Sequence, residues 1–489
     1  MAKRKKKIDV NQTSILDTSY TEEQSKFVHY TGKKSVVLAS VAGSGKTTSC
    51  VGRLMELLKR GVDPKKIIFF SFTKAATEEL KKRIESKNVE GCDKIKITTI
   101  HAFCYHILSK AGKFKDVTNF FEFIEWYKTS FKPSGHSKQE EIDEFYDNVS
   151  EMYETADLLS SQIGAFKLQK ADGISAKLPS YFFEYEKYQK EKRARDFADM
   201  LIEVFELFKD NKWLNMFKNK YDYIFIDEFQ DTSTIQLKIL LNLNAKYYYL
   251  IGDKNQSIFL FSGVNYDKLV ELLAERREME KMTLTINFRS DVLIVENSNN
   301  FSDLMAKPSS SANGEICSEV LTSLGQLKDV LDNNREVAVL VRTNKVIKYM
   351  EQLLLAERYP MRYFNYITDN DIKNHREGKH YPILTRKFRS LEKVFGNADE
   401  VIKFIEENKK SDKFITTIHK SKGREFDVCV VVNSIAPDIL DENGFSLPPK
   451  LFKKVSFDYA DEEKDEQNIH YVAVSRPRHK LYYMLYGTP

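Results

Sequence analysis

Short apolar or β-branched runs recur along the first half of the chain: KSVVLAS (34–40), KIIFFSF (66–72), KIKITTI (94–100), YDYIFID (221–227) and YYYLIG (247–252). Each is followed by polar or glycine-bearing residues, and most then enter a pattern of helical period, as in AATEELKKRI (75–84). Runs this uniformly apolar suit strands covered on both faces, so the pattern predicts a parallel sheet with helices outside it. Residues 108–195 break the rhythm. They are rich in Phe, Tyr, Lys and Glu, hold few strand-like runs and read as a helical insertion. A second strand set, EVAVLVRT (336–343), KFITTIH (413–419) and DVCVVVN (427–433), predicts a second α/β unit. AKPSSSANGE (306–315) reads as an exposed loop between elements.

Composition narrows the classes. At 489 residues the chain is too long for one ordinary core. A formal charge of only +5 means that a nucleic-acid partner must be argued from local patches. The five cysteines form no CxxC pair, which disfavours a zinc site or disulfide frame and fits a reducing compartment. No apolar run approaches the roughly 18 residues of a membrane span, so no membrane partner is expected. The opening MAKRKKK lacks the apolar stretch of a signal peptide. Lys3 to Lys7 either touch phosphates or form a solvated end.

Chemistry enters at SVAGSGKTT, Ser40 to Thr48, between an apolar run and a helical pattern. Gly43, Ser44 and Gly45 offer backbone N–H groups to phosphate oxygens, with a helix N-terminus behind them. Lys46 would reach the β and γ phosphates, and the Thr47 hydroxyl would bind Mg²⁺; Thr48 closes the motif. Ser40 stands where the usual pattern has its first glycine. YIFIDEFQD (223–231) then explains itself. An apolar strand that finishes on Asp227 and Glu228 suits a phosphoryl-transfer site, in which the first acid holds Mg²⁺ and the second orients or deprotonates the attacking water. Gln230 and Asp231 would sense the γ-phosphate and tie this loop to its neighbours. ATP and Mg²⁺ are the implied cofactors.

Eight stretches in this order resemble the motifs of the UvrD/Rep/PcrA group of superfamily 1 DNA helicases. Besides the P-loop, YTEEQ (20–24) resembles the Q motif, SFTKAATEELKKRI (71–84) motif Ia, TTIHAFC (98–104) motif Ib and IDEFQDT (226–232) motif II. GDKNQSIFLFSG (252–263) resembles motif III, TINFRSD (285–291) motif IV, TTIHKSKGREFD (416–427) motif V and YVAVSRPRHKLYY (471–483) motif VI. The resemblance implies that Gln24 reads the adenine edge, Phe288 stacks on adenine and Glu425 binds the ribose. It also implies that Gln256 senses the γ-phosphate and that Arg289 and Arg476 reach it from opposite sides. On the DNA side it implies base stacking on Phe72, Phe259 and Phe261, a DNA-binding Phe197 at the base of the helical insertion, and a phosphate track along Thr99, His101, Thr417 and His419.

The implied architecture is two RecA-like α/β domains with ATP between them. The first would span 1–107 and 196–285, with the helical insertion at 108–195; the second would span 286–489, with a very reduced insertion near 367–412. Two departures stand out. Thr48 replaces an adenine-stacking arginine, and motif III reads Phe261–Ser262–Gly263 where relatives have aromatic–Arg–Gly. A further expectation follows from Pro489, which lies soon after motif VI where relatives continue into a duplex-splitting hairpin. The expected activity is a monomeric, ATP-driven 3′→5′ translocase and helicase on single-stranded DNA and single-strand/duplex junctions. It would be cytoplasmic, in a bacterial or phage-infected cell, with a replication, repair or defence protein as candidate partner. The alternative is an ATP-gated DNA-binding sensor or helicase-like subunit with little unwinding.

Overall fold

The computed structural model describes residues 20–485, apart from 114, 135–136, 155, 259–263, 379–381 and 433–461. Its first half is built on a six-stranded sheet. The order is Lys96–Thr99, Ile67–Ser71, Tyr223–Ile226, Tyr247–Gly252, Ser35–Ser40 and Met279–Leu284, and every pair is parallel. Alternate residues of one strand feed opposite cores. Ile68 and Phe70 pack with the helices Ile100–Lys110, Phe197–Leu207 and Thr234–Asn242, while Ile67 and Phe69 pack with Glu22–Val28, Lys46–Lys59 and Lys74–Glu85. Both faces are dry, which is why these runs carry no polar alternation.

The second half repeats the scheme. A parallel five-stranded sheet runs Glu315–Ile316, Pro477–Met484, Phe426–Val432, Val337–Val341 and Lys413–Thr417. Val337, Val339 and Val341 face one core and Ala338 and Leu340 the other. The architecture is therefore mixed α/β with two parallel sheets, as the apolar pattern predicted.

Three local features differ from the sequence reading. The strand Met279–Leu284 has no continuous apolar run to signal it, because it lies at the sheet edge and Lys281 and Thr283 meet solvent. Residues 306–315 are not simply loop. Lys307–Pro308 pairs with Ile286–Asn287, and Glu315 pairs with Lys480 at the edge of the second sheet. Their pairing is pure backbone, so side-chain pattern carried no trace of it. Finally, the segment near 367–412 holds three helices, Asp369–Arg376, Pro382–Phe395 and Ala398–Glu407. Ile372, Phe388, Leu391, Phe395 and Val401 join the main core of the second sheet, so these helices help to build that half.

The described residues of 108–195 are mainly helical, with Phe120–Ser130, Gln139–Glu154, Ala156–Ala171 and Phe182–Lys192 around an aromatic core and Asp116–Val117 paired with Ala194–Arg195. At their base a buried Lys167 ammonium bonds Asp196, Asp199 and Gln189 at 2.7–3.0 Å. In the second half, Glu351 is fully buried and accepts from the Asn365 amide N–H and side-chain amide and from the Tyr366 amide N–H at 2.6–2.9 Å. Glu351→Gln should destabilise the fold by about 2–3 kcal/mol at pH 8, because the new amide turns a donor toward existing donors. Urea unfolding checks this; an unchanged midpoint would contradict it.

Candidate active site

The site lies at the C-terminal ends of the first sheet, where an open α/β sheet presents backbone and side chains to a ligand. After Ser40 the chain turns through Gly43 and Gly45, with φ of +69° and +75°. A side chain at Gly43 would meet Arg289 Cβ at 2.6 Å, and one at Gly45 would meet Gln24 Nε2 at 2.8 Å. The two glycines are therefore demanded both by backbone conformation and by close approach. Helix Lys46–Lys59 begins directly after Gly45, which caps it without a side chain, and the Ser44 hydroxyl is buried with no hydrogen-bond partner.

The acids sit opposite. Strand Tyr223–Ile226 ends, Asp227 follows, and Glu228 adopts the left-handed region with φ of 50°. A non-glycine residue there is unusual and redirects the carboxylate. The Glu228 amide N–H donates to Asp227 Oδ1 at 3.0 Å, and Gln230 Nε2 donates to Glu228 Oε2. Burial, then the Glu228 charge, pushes the Asp227 carboxyl up despite Lys46. Burial also opposes the Glu228 charge, but Lys46, Lys422, the Gln230 bond and Arg476 together hold its carboxyl below the usual range. A half-buried acid whose charge Lys46 only partly offsets fits a cation. Among the described residues no group of three or more His, Cys, Asp or Glu is poised to hold a metal. Mg²⁺ does not need one, since it is held by one or two carboxylates with phosphate and water oxygens. Asp227 and the Thr47 hydroxyl fit that role, and the glycine turn with its orphaned Ser44 hydroxyl fits phosphates.

The second half supplies the cations. Arg476 is buried and donates to the Val472 and Arg424 carbonyls, to Ser475 Oγ and to Gln256 Oε1 at 2.9–3.2 Å. Among the described residues no carboxylate pairs with it, and burial followed by the neighbouring Arg289 pushes its pKa down to about 9. Arg289 donates from Nε to Glu425 Oε2 at 2.8 Å and from Nη1 to the Ser475 carbonyl at 3.2 Å. Glu425 also accepts from Arg478 at 3.0 Å. Phe288 is 50% exposed beside Gly45, and its amide N–H bonds the Gly43 carbonyl at 2.9 Å. Gln24 is buried, caps its own helix with Thr21 and donates to the Ser44 carbonyl at 3.2 Å.

Sequence reasoning missed the hub between the halves. The Asp253 carboxylate accepts from the Asn255 amide N–H, from Gln256 Nε2 at 2.8 Å and from Tyr471 Oη at 3.2 Å. Tyr471 Oη also accepts from the Ala42 N–H at 3.3 Å. Lys422 pairs with buried Asp231 and donates to the Gln256 carbonyl. Asp253 and Lys422 stood inside recognised motifs, yet nothing local to either marked its partner on the other half of the chain.

The nucleic-acid candidates separate from this cluster. Phe72 is 48% exposed at the end of strand Ile67–Ser71. Phe197 is 58% exposed and its ring meets His101 edge-on at 5.1 Å. Exposure of two such rings argues against a core role for them. Thr99 and Thr417 are spent as helix caps, accepting from the amide N–H groups of Ala102 and Lys420. Burial lowers the pKa of His101 to about 4 and of His419 to about 3, so both are neutral hydrogen-bonding groups rather than phosphate-seeking cations. Phe259 and Phe261 lie outside the described residues.

Comparison with known proteins gives the family. Residues 20–276 match the UvrD/REP helicase N-terminal domain, and residues 384–487 the UvrD-like helicase C-terminal domain. The chain is 27% identical over 395 residues to a probable DNA helicase II homolog of Mycoplasma pneumoniae, covering 70% of this chain and 53% of the relative. It is 28% identical over 368 residues to the ATP-dependent DNA helicase Rep of Buchnera aphidicola, covering 70% and 54%. A probable DNA helicase of Mycoplasma pneumoniae is 25% identical over 471 residues, covering 91% and 79%. The chain thus spans about half the length of the first two relatives and more of the third.

Proposed function

The chain belongs to the UvrD/Rep helicases, and on that premise we propose that it hydrolyses ATP between its two α/β units to move along single-stranded DNA. One observation carries the reading: buried Arg476 of the second half reaches Gln256 and acts on the Glu228 carboxylate of the first, and Arg289 starts against the Gly43 turn with its guanidinium held by Glu425 and the Ser475 carbonyl. Burying a cation without a carboxylate is costly, and a γ-phosphate would compensate it.

In the proposed cycle Lys46, Arg289 and Arg476 stabilise charge developing on the transferred phosphoryl group. Glu228, with its carboxylate kept ionised and aimed by Gln230, takes a proton from the attacking water. Asp227 and Thr47 would hold Mg²⁺, which supplies charge neutralisation at the phosphate oxygens. Gln24 and Phe288 hold the adenine and Glu425 the ribose. Loss of the γ-phosphate removes the anion that Lys46 of the first half shares with Arg289 and Arg476 of the second, and that loss favours opening. Gln256, itself in motif III and bonded to both Asp253 and Arg476, receives that change on the first half.

On the DNA side, bases would stack on Phe72, Phe197, Phe259 and Phe261, worth about 1–3 kcal/mol per base. Phe197→Ala should raise the single-strand concentration for half-maximal ATPase stimulation about tenfold, with the melting temperature unchanged because the ring is exposed. A lower melting temperature with unaltered stimulation would make Phe197 a packing residue. The direction proposed is 3′→5′, by family resemblance. Opening a base pair costs about 1.4 kcal/mol of stacking, well within one ATP, so short duplexes should yield to pulling alone. Single-turnover strand displacement tests this. Release of short duplexes from 3′ tails supports the motor; release only from 5′ tails reverses the polarity, and ATPase without any displacement makes the protein a sensor.

A further inference from the structure

Thr285 is the one residue between strand Met279–Leu284 of the first sheet and the short strand Ile286–Asn287 that leads to Phe288 and Arg289. Its amide N–H donates to Glu23 Oε2 at 2.6 Å and its hydroxyl donates to Glu23 Oε1 at 2.7 Å. A carboxylate that grips one residue with both oxygens, 262 positions away in sequence, is a built contact. It is also charge-assisted, and therefore stronger than a neutral pair. Glu23 precedes Gln24, whose side chain donates to the Ser44 carbonyl of the glycine turn at 3.2 Å. Two neighbouring residues of helix Glu22–Val28 thus hold two separate objects.

The segment they hold is tied to the P-loop along its length. The Val41 N–H bonds the Leu284 carbonyl at 3.0 Å, and the Phe288 N–H bonds the Gly43 carbonyl at 2.9 Å. On its other side the Lys307 N–H bonds the Thr285 carbonyl at 2.8 Å, and Asn287 Oδ1 accepts from the Arg289 and Ser290 N–H groups. Residues 284–289 therefore form a rail that begins in the first sheet and ends on an arginine of the cleft. Glu23 grips the rail where it leaves that sheet.

We propose that Glu23 is a positioning residue that couples occupancy of the adenine site to the placement of Arg289. The proposal rests on the ATPase reading above and deepens it. When a base engages Gln24, the first turn of helix Glu22–Val28 is held more firmly, and Glu23 transmits this to Thr285. Arg289, four residues further on, is then set for the γ-phosphate. A triphosphate with a poorly fitting base leaves the turn looser and the arginine less well placed. Base recognition would thereby enter kcat and not only KM.

Steady-state ATP and UTP hydrolysis at saturating single-stranded DNA tests this with Glu23→Ala, Thr285→Val, Thr285→Ser and the Glu23→Ala/Thr285→Val double variant. Loss of a charge-assisted pair of hydrogen bonds should lower kcat for ATP about tenfold in Glu23→Ala and shrink the ATP preference over UTP in kcat. Thr285→Ser keeps both donors and should behave as wild type. The double variant should be no slower than Glu23→Ala, since the two residues act through one contact. Equal proportional losses with ATP and UTP would mark a passive tether and overturn the proposal, as would an unaltered ATP kcat. Where the wild type turns over ATP alone, additive losses in the double variant would overturn it. A wild-type chain without DNA-stimulated hydrolysis would instead refute the proposed function itself.

Discussion

Glu228→Gln should bind ATP as the wild type does and lose hydrolysis by about 10²–10⁴-fold, the range attributed to a positioned general base. The change is nearly isosteric, so the shape of the site is kept. The amide cannot accept the proton of the attacking water. It would also turn a donor toward Gln230 Nε2, which now donates to Glu228 Oε2. The half-buried, cation-lined surroundings make the effect specific. Lys46, Lys422 and Arg476 all act on this carboxylate, and their combined charge keeps it ionised at neutral pH. Equilibrium nucleotide binding and steady-state turnover on the same preparation check the expectation. Turnover near wild type would remove Glu228 from the chemistry, and lost binding would show that it supports the fold of the site instead.

Arg476→Ala should reduce kcat by about 10³–10⁵-fold, as expected when an arginine that stabilises transferred phosphoryl charge is removed. Arg476→Lys should recover little of this. A lysine keeps the charge but cannot reproduce the fork that contacts the Val472 and Arg424 carbonyls and Gln256 at once. The loss should fall on kcat far more than on KM, because the missing interaction belongs to the transition state. If both variants change KM alone, Arg476 holds substrate without assisting the reaction.

The sequence and the three-dimensional arrangement carry different parts of this account. The P-loop and the acids after YIFI were legible because their chemistry requires particular residue types at short, fixed spacing. The two central sheets were legible because strands buried on both faces leave long apolar runs. Met279–Leu284 was missed for the opposite reason, since an edge strand with polar neighbours has no such run. Pro477–Met484 was met only as a motif, because its Arg478, His479 and Lys480 mask its β character. The Asp253–Tyr471 and Asp231–Lys422 contacts join residues far apart in the chain, so no local signal could pair them. Thr99, Thr417, His101 and His419 show what a motif match leaves unsaid. Their letters matched motifs, yet the threonines cap helices and the histidines are neutral. Any contact they make with a phosphate is thus a neutral hydrogen bond.

The central claim is that ATP hydrolysis in this cleft is driven by single-stranded DNA. The most direct measurement is the steady-state ATPase rate with Mg²⁺, first without DNA and then with increasing oligo-deoxythymidylate, alongside Lys46→Ala prepared in the same way. The account predicts slow hydrolysis alone, strong saturable stimulation by the oligonucleotide and no stimulated hydrolysis in Lys46→Ala. Hydrolysis indifferent to DNA, or equal rates in Lys46→Ala and the wild type, would contradict it.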